Sequence, residues 1–350
     1  MSSLSTQQAR LQDDLRGLVA GEVRCDDVML QLYATDASPF ECRPAGVVWP
    51  RSTRDVVVTV EYCAERGLPI HPRGSGTTST GGSLGPGIVL DFTRHLRRII
   101  QTDESTVLVQ PGAVRERFND ILKRSGNRFF APSAGFLPTS TLGGILSTDA
   151  AGPRWLRYGF PHEAIRELEV VTADGRALRL APVDLSAPEN AAASNPTAWW
   201  NEEPFVGLRA LLDKAAAALP SARKKGMPDR AGYGIDSVWD GRIFNPARLF
   251  SGAEGSLGII TAARLATSIR PEQTAGGILL FDSLENAARS VEPLLAFRPS
   301  LCELLDRRTI NMLTQQDHRF AQFLPQQAET ALLIELDDES AEALTSAPTS

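Results

Sequence analysis

Cysteine and histidine are scarce in this sequence, four of each in 350 residues, and the scarcity removes whole classes of chemistry. Cys25, Cys42, Cys63 and Cys302 are too scattered for a disulfide framework and fit no zinc or iron–sulfur spacing. With no disulfides to protect, the expected compartment is the reducing cytoplasm. The histidines, His71, His95, His162 and His318, stand alone, and a lone histidine is more often structural than catalytic. No apolar run approaches the roughly 18–20 residues that span a bilayer. Arg10, Asp13, Asp14 and Arg16 occupy the stretch where a secretory leader needs an apolar core. The formal charge is −6 with both signs interspersed, so there is neither a nucleic-acid footprint nor a polybasic membrane patch. What is present is ordinary for a globular chain, 42% hydrophobic and 22% charged, and long enough for two or three domains.

Leu11, Leu15 and Leu18 recur at helical spacing, so a lead-in helix is expected over about 6–20. A β-α-β unit follows. Val47-Val48-Trp49 reads as a strand ended by Pro50. Ser52 or Thr53 caps a helix with Val56, Val57, Val60 and Ala64 on its apolar face, and Gly67 stops it. Leu68-Pro69-Ile70 leads into the next strand, and Ile88–Asp91 is another. Residues 182–200, with Pro182, Pro188 and Pro196, read as a surface loop. Pro204 opens a helix with Leu208, Leu211 and Leu212 on its buried side, ended by Pro220. After Arg270-Pro271 the pattern is strand 276–281, helix 284–296, strand 301–305, helix 307–323 and strand 331–336. This predicts an antiparallel sheet with helices on one face, and the sequence reaches Ser350 before such a sheet would be complete.

Three runs of small residues carry the chemistry. The first, Pro72 to Gly82, holds four glycines and five hydroxyl residues in eleven positions directly after a strand. Such a loop leaves backbone N–H groups free to converge on an anion such as a diphosphate. It is not a dinucleotide fingerprint, because Ser79 stands where the third glycine belongs, and without a lysine it is not a P-loop. A solvated loop is the alternative for this segment alone. Against it stand the second run, Thr139 to Gly144 with Ala150-Ala151-Gly152 and a closing Arg157-Tyr158-Gly159, and the third, Ser251 to Ile260. Small side chains there let backbone lie against a large planar ligand.

In this order and spacing the runs resemble flavoproteins of the vanillyl-alcohol oxidase, or PCMH-type, FAD-binding fold, over about residues 40–340. The nearest resemblance is to FAD-linked D-2-hydroxyacid dehydrogenases and glycolate oxidase-like subunits. The opening, Glu22 to Asp27 with Leu32 to Ser38, is similar to large bacterial members fused to a C-terminal iron–sulfur module. The resemblance implies an α+β chain. Residues 1–40 would be a lead-in and 41–270 a two-subdomain FAD-binding domain (41–105 and 106–270), with 271–350 the incomplete start of an antiparallel α+β cap. It implies FAD as cofactor, with any iron–sulfur cluster confined to a region beyond this sequence. The reaction implied is hydride transfer from a D-2-hydroxyacid to flavin N5, with electrons passed to an acceptor protein or iron–sulfur module.

Carried over by residue, Arg73, Gly74, Ser75, Gly76, Thr77, Thr78, Gly81 and Gly82 would cradle the diphosphate. Thr141, Gly143 and Gly144 would pass close to the diphosphate and the ring, helped by Ser147, Ala150 and Gly152. Ile165 would contact the adenosine part through its backbone. Glu254, Gly255, Gly258 and Ile259 would form a turn packed near the cofactor, and Arg230 with Gly232-Tyr233 would lie beside the flavin. Covalent members carry histidine where this chain has Thr77, so the FAD is expected to be non-covalent. Ile145 and Asp149 replace the family's asparagines, and Ser133 its acid; an aspartate beside a diphosphate needs a hydrogen-bond partner. No H-x-x-H-G-type segment supplies catalytic histidines, and His162, four residues beyond Tyr158, is the one placed nearest the flavin. Arg97-Arg98 and Lys224-Lys225 read as solvated charge, Trp199-Trp200 as an anchor, and Glu303 and Asp306 as cap packing. An FAD-dependent sugar or alcohol oxidase, and a non-catalytic FAD-binding subunit needing a partner chain, are the alternatives.

Overall fold

A computed structural model describes residues 4–132, 138–186, 201–215, 232–325 and 327–337. The chain divides into two compact units, one of residues 1–122, 137–150 and 161–267, the other of 123–136, 151–160 and 268–350.

The first unit holds two sheets. Strands β1 (Glu22–Arg24), β2 (Gly46–Trp49), β3 (Ile70–Arg73) and β4 (Ile88–Asp91) form a sheet in the order β1-β2-β4-β3. The pairs β2–β4 and β3–β4 are parallel, while β1 runs antiparallel to β2. All four β2 residues and all four β4 residues are buried, as a parallel sheet covered on both faces requires. Helix α1 (Thr6–Leu18) starts on a capping box in which Ser5 and Gln8 each bond the other's backbone. Helix α2 (Thr53–Arg66) connects β2 to β3. Ser52 caps it by accepting from Asp55 N at 3.2 Å, and Gly67 ends it at φ 62. Asp55, 3% exposed, also accepts from Ala20 N at 3.0 Å and Arg51 N at 2.8 Å, pinning the end of the lead-in to the start of α2. Ala64, expected on the buried face of α2, is exposed, whereas Val58, Tyr62 and Cys63 are buried.

The second sheet consists of β5 (Ile99–Thr102), β6 (Thr106–Val109), β7 (Ile165–Val171), β8 (Ala177–Leu180) and β9 (Ile259–Ala266), in the order β5-β6-β9-β7-β8 and antiparallel throughout. Val171 and Ile259 join Val48, Ile88, Leu90 and the buried side of α2 in one core. The expected loop at 182–200 begins instead with a two-residue strand, Val183–Asp184, paired to Ile243–Phe244; residues 187–200, Trp199-Trp200 among them, lie outside the described residues. The helix after Pro204, Phe205–Ala215, buries Phe205 and Leu212 and leaves Leu211 exposed, against the expectation for that leucine. Its expected stop at Pro220 lies outside the described residues.

In the second unit, strands β10 (Thr274–Phe281), β11 (Leu301–Asp306) and β12 (Thr330–Asp337) form an antiparallel sheet in the order β10-β12-β11. The expected helix over 307–323 is interrupted. It runs Arg307–Gln316, and Asp317 then caps a 3₁₀ turn, His318–Gln322, by accepting from Arg319 N at 2.9 Å. Ile310, Leu324, Ala328 and Ala331 make a small separate core. Among the described residues β10 has a strand neighbour on one side only, and seven of its eight residues are exposed, Ile278, Leu279 and Leu280 among them. Amides along β10 are therefore expected to exchange with solvent faster than those of β9, which is paired on both sides; hydrogen-exchange mass spectrometry with equal protection of the two would contradict this.

Candidate functional site

The three small-residue runs lie far apart in sequence, yet the first unit brings them together. The first meets the second where Gly74 passes Thr141 so closely that a Cβ on Gly74 would sit 2.1 Å from Thr141 Oγ1. It meets the third at two points: Glu254 Oε2 would lie 3.1 Å from a Cβ on Gly82, and Pro72 Cγ 2.9 Å from a Cβ on Gly255. The second and third are joined by hydrogen bonds. Glu254 N donates to Ser147 O at 2.8 Å, Gly252 N to Leu146 O at 3.2 Å, and Ser251 Oγ to Leu146 O at 2.9 Å. Thr141 itself caps the short helix Leu142–Thr148, its Oγ1 accepting from Gly144 N at 3.4 Å.

The first run has the conformation of an anion cradle. Gly76 adopts φ +67, open to glycine and strained for any other residue. Among the described residues, the backbone N–H groups of Gly74, Ser75, Gly76, Thr77, Thr78 and Ser79 donate no hydrogen bond. Six adjacent donors without a partner among the described residues are what a diphosphate would satisfy. The hydroxyls of Thr78 and Thr80 lie 2.9 Å apart. The residues of this run thus fit FAD at its charged centre. Arg73 is turned otherwise. Its guanidinium donates to Tyr33 O at 3.4 Å and Thr35 O at 2.8 Å, fastening the loop to the 33–35 segment, which Ala37 N reinforces by donating to Gly76 O at 3.0 Å.

The base of the loop rests on Asp91 at the end of β4. Its carboxylate, 4% exposed, accepts from the Tyr33 hydroxyl, from Trp49 Nε1 at 3.1 Å, and from both the N and Oγ1 of Thr93 at 2.7 Å. Burial, with this carboxylate beside it, raises the Tyr33 phenol pKa, so the hydroxyl stays a donor. His71 packs its ring against Gly85, and burial lowers its pKa, which fits a neutral structural imidazole. Burial pushes the Cys25 thiol up to about 11 and the Cys63 thiol to about 12, so neither is a nucleophile.

Asp149, the aspartate in the second run, is bonded as its place demands. It ends helix 142–148 at φ 46 and accepts from His162 N at 2.9 Å and His162 Nδ1 at 2.8 Å, while Ser251 Oγ, whose one hydrogen has the shorter contact to Leu146 O, lies 3.3 Å away. The pairing with His162 could not be seen in the sequence, where the two lie thirteen residues apart with no motif between them.

Ile165 opens β7 fully buried, and Ile259 opens β9 beside Val171. Gly258 passes Val171 O too closely for a side chain, 2.9 Å from a built Cβ. Tyr233, next to Gly232, reaches the third run through a 3.0 Å contact with Ser256 Oγ; Arg230, Ser133 and Lys224-Lys225 lie outside the described residues. Ala150 ends the first unit's second run, whereas Gly152 and Arg157-Tyr158 belong to the second unit. There Tyr158 OH lies 3.1 Å from Asp337 and Arg157 Nε 3.6 Å from it, while Arg154 bonds Glu335 at 2.6 Å. Burial, then the Asp337 carboxylate, pushes the Tyr158 phenol up to about 12. Arg97 and Arg98 are exposed, and Asp306 caps the helix that follows it by accepting from Thr309 N at 2.8 Å. Among the described residues there is no cluster of histidine, cysteine and carboxylate groups able to hold a metal, and no helix long and apolar enough to cross a membrane.

Residues 44–181 match the FAD binding domain family, and residues 270–347 match the C-terminal domain of the FAD linked oxidases. D-2-hydroxyglutarate dehydrogenase of Pseudomonas putida is 30% identical over 323 residues, which cover 89% of this chain and 32% of that protein. The glycolate oxidase subunit GlcD of Bacillus subtilis is 29% identical over 314 residues, covering 87% of this chain and 54% of that one. A solved alkyldihydroxyacetonephosphate synthase aligns over 99% of this chain and 59% of its own with a TM-score of 0.65 at 16% identity, a likeness of fold. The chain spans about a third to a half of the length of these curated relatives. FAD is the cofactor to which its domains correspond.

Proposed function

The chain belongs to the FAD-linked oxidase family, and from that premise we propose that it takes part in oxidising a D-2-hydroxyacid of the lactate, glycolate or 2-hydroxyglutarate class, with the electrons passed to a partner acceptor. The observation that carries this reading is the meeting of three small-residue runs around six open backbone donors. Bound there, FAD would supply the two-electron acceptor for hydride from the substrate's α-carbon. The protein's share is to bind and orient. Gly74 to Thr78, with Gly81 and Gly82, hold the diphosphate through N–H groups and hydroxyls. Thr141, Gly143, Gly144, Ser147 and Ala150 line the approach to the ring, with Gly152 following in sequence. Glu254, Gly255, Gly258 and Ile259 close the turn against the first run, and Ile165 offers backbone to the adenosine part. Thr77, at the position of the covalent histidine, leaves the FAD non-covalent.

The choice of hydroxyacid over other alcohols draws on the names of the relatives, D-2-hydroxyglutarate dehydrogenase and glycolate oxidase subunit. In the same reading residues 41–270 form the FAD-binding domain and 271–350 the beginning of a substrate-facing cap. A second reading, an FAD-binding subunit that needs a partner polypeptide for turnover, is favoured by the exposed apolar strand β10. Anaerobic stopped-flow spectroscopy of the FAD-loaded protein distinguishes these. Bleaching of the flavin band by D-2-hydroxyglutarate or D-lactate, and not by the L-acids, is the expected result. Bleaching by sugars or simple alcohols alone would replace the hydroxyacid assignment, and no bleaching by any of them would favour the subunit reading.

A further inference from the structure

We propose that Arg73 and Asp36 are positioning residues: they hold the glycine loop in its diphosphate-binding shape against the segment 33–38, Arg73 through its hydrogen bonds and not through its charge on the phosphates. The inference rests on FAD occupying the cradle as described above. Segment and loop are stitched together along most of the loop's length. At its base Arg73 donates from one terminal nitrogen to Tyr33 O at 3.4 Å and from the other to Thr35 O at 2.8 Å. In its middle Gly76 O accepts from Ala37 N at 3.0 Å. At its far end the buried Ser83 donates Oγ to Asp36 Oδ2 at 2.9 Å, and a Cβ on Gly81 would lie 3.0 Å from the Phe40 ring. The segment is itself fixed. Asp36 Oδ1 accepts from Ser38 N at 2.8 Å, Cys42 N donates to Ala34 O at 2.8 Å, and the Tyr33 hydroxyl donates to Asp91.

Both side chains act on shape. The guanidinium is a planar fork, and bridging two carbonyls uses that fork, which the single ammonium of lysine does not reproduce. Its field is also shared. Burial would raise the Asp36 carboxyl, but hydrogen bonds from Ser38 and Ser83 and the Arg73 charge hold it below the usual carboxylate range. A cation whose field already serves a carboxylate has less to offer a diphosphate. The six open N–H groups of Gly74 to Ser79 lie between the Arg73 and Ser83 stitches. Freeing either end lets those donors diverge, and FAD must then order them again on binding.

The test is FAD affinity, measured by fluorescence titration of the apoprotein of the full chain at low and high salt, with the thermal midpoint of each apoprotein recorded alongside. Arg73→Lys is expected to raise the Kd for FAD about tenfold and to lie within about threefold of Arg73→Ala, both keeping the salt dependence of wild type. A charge acting on the diphosphate would instead survive in the lysine variant, and its loss in the alanine variant would flatten the salt dependence. Asp36→Ala and Ser83→Ala are each expected to raise the Kd about fivefold, with Ser83→Ala adding nothing in the Asp36→Ala background. Asp36→Asn, whose amide still bonds the Ser83 hydroxyl, is expected to stay within about twofold of wild type. This second arm stands even if the Arg73 variants fail to fold. Arg73→Lys binding as tightly as wild type, additive effects of Asp36→Ala and Ser83→Ala, Asp36→Asn as weak as the alanine variant, or affinity lost only where the thermal midpoint falls would each overturn the proposal. Wild-type protein that bound no FAD would overturn the cradle itself, a result distinct from all of these.

Discussion

Gly76→Val is expected to lose FAD altogether while keeping its secondary structure. Gly76 sits at φ +67, which a β-branched residue adopts only under strain, and a Cβ there would lie 2.6 Å from the Arg73 guanidinium. That guanidinium ties the loop to the carbonyls of Tyr33 and Thr35, so displacing it releases the loop from its anchor as well as deforming its donors. Six N–H groups act together on a diphosphate, and misdirecting them is expected to weaken binding by at least about 100-fold. The loop is surface backbone outside the cores, so far-ultraviolet dichroism should stay close to wild type. A Gly76→Val protein that retained FAD at full stoichiometry would remove the cradle from this account.

Asp91→Ala is expected to have the largest effect on stability. Four donors from Tyr33, Trp49 and Thr93 converge on this one buried carboxylate, and alanine would leave them without an acceptor. Each buried donor left unsatisfied costs about 1–3 kcal/mol, and after partial relaxation a loss of about 3–5 kcal/mol is expected. The urea midpoint of the first unit should fall by roughly 1 M. Asp91→Asn, which keeps an acceptor, should lose less. Equal midpoints for the alanine variant and wild type would show that the carboxylate is not the keystone of the loop's base.

The features legible in the sequence are those whose cause is local. Strand 46–49, the Ser52 cap, the Gly67 stop and strand 88–91 follow from periodicity, capping and turn chemistry within a few residues of each position. The buried face of α2 was less legible because its neighbours are remote in sequence. Tyr62 OH donates to Asp14 Oδ2 at 3.0 Å, forty-eight residues away, and α1 covers the flank that Val58, Tyr62 and Cys63 present. The break at Asp317 escaped because the helical pattern continues through it, although the aspartate competes for the backbone N–H of Arg319. The two-residue ladders 128–129 with 268–269 and 183–184 with 243–244 are too short for any alternation to register.

The candidate site divides along the same line. Its glycines and hydroxyls announced an anion loop by composition, and their order carried the family resemblance. The direction of the Arg73 guanidinium and the partner of Asp149 depend on a left-handed turn and on residues brought from other segments, which no single stretch of sequence displays.

The central claim is that this chain holds FAD non-covalently in the cradle built on Gly74 to Gly82. Purified protein should be yellow, and denaturation by acid or heat followed by chromatography of the supernatant measures the claim most directly. Intact FAD, released in about equimolar amount to the polypeptide, is the predicted result, because Thr77 offers no nitrogen for a covalent bond. Flavin remaining with the precipitated chain, FMN in place of FAD, or a protein that takes up no flavin when FAD is supplied would contradict it.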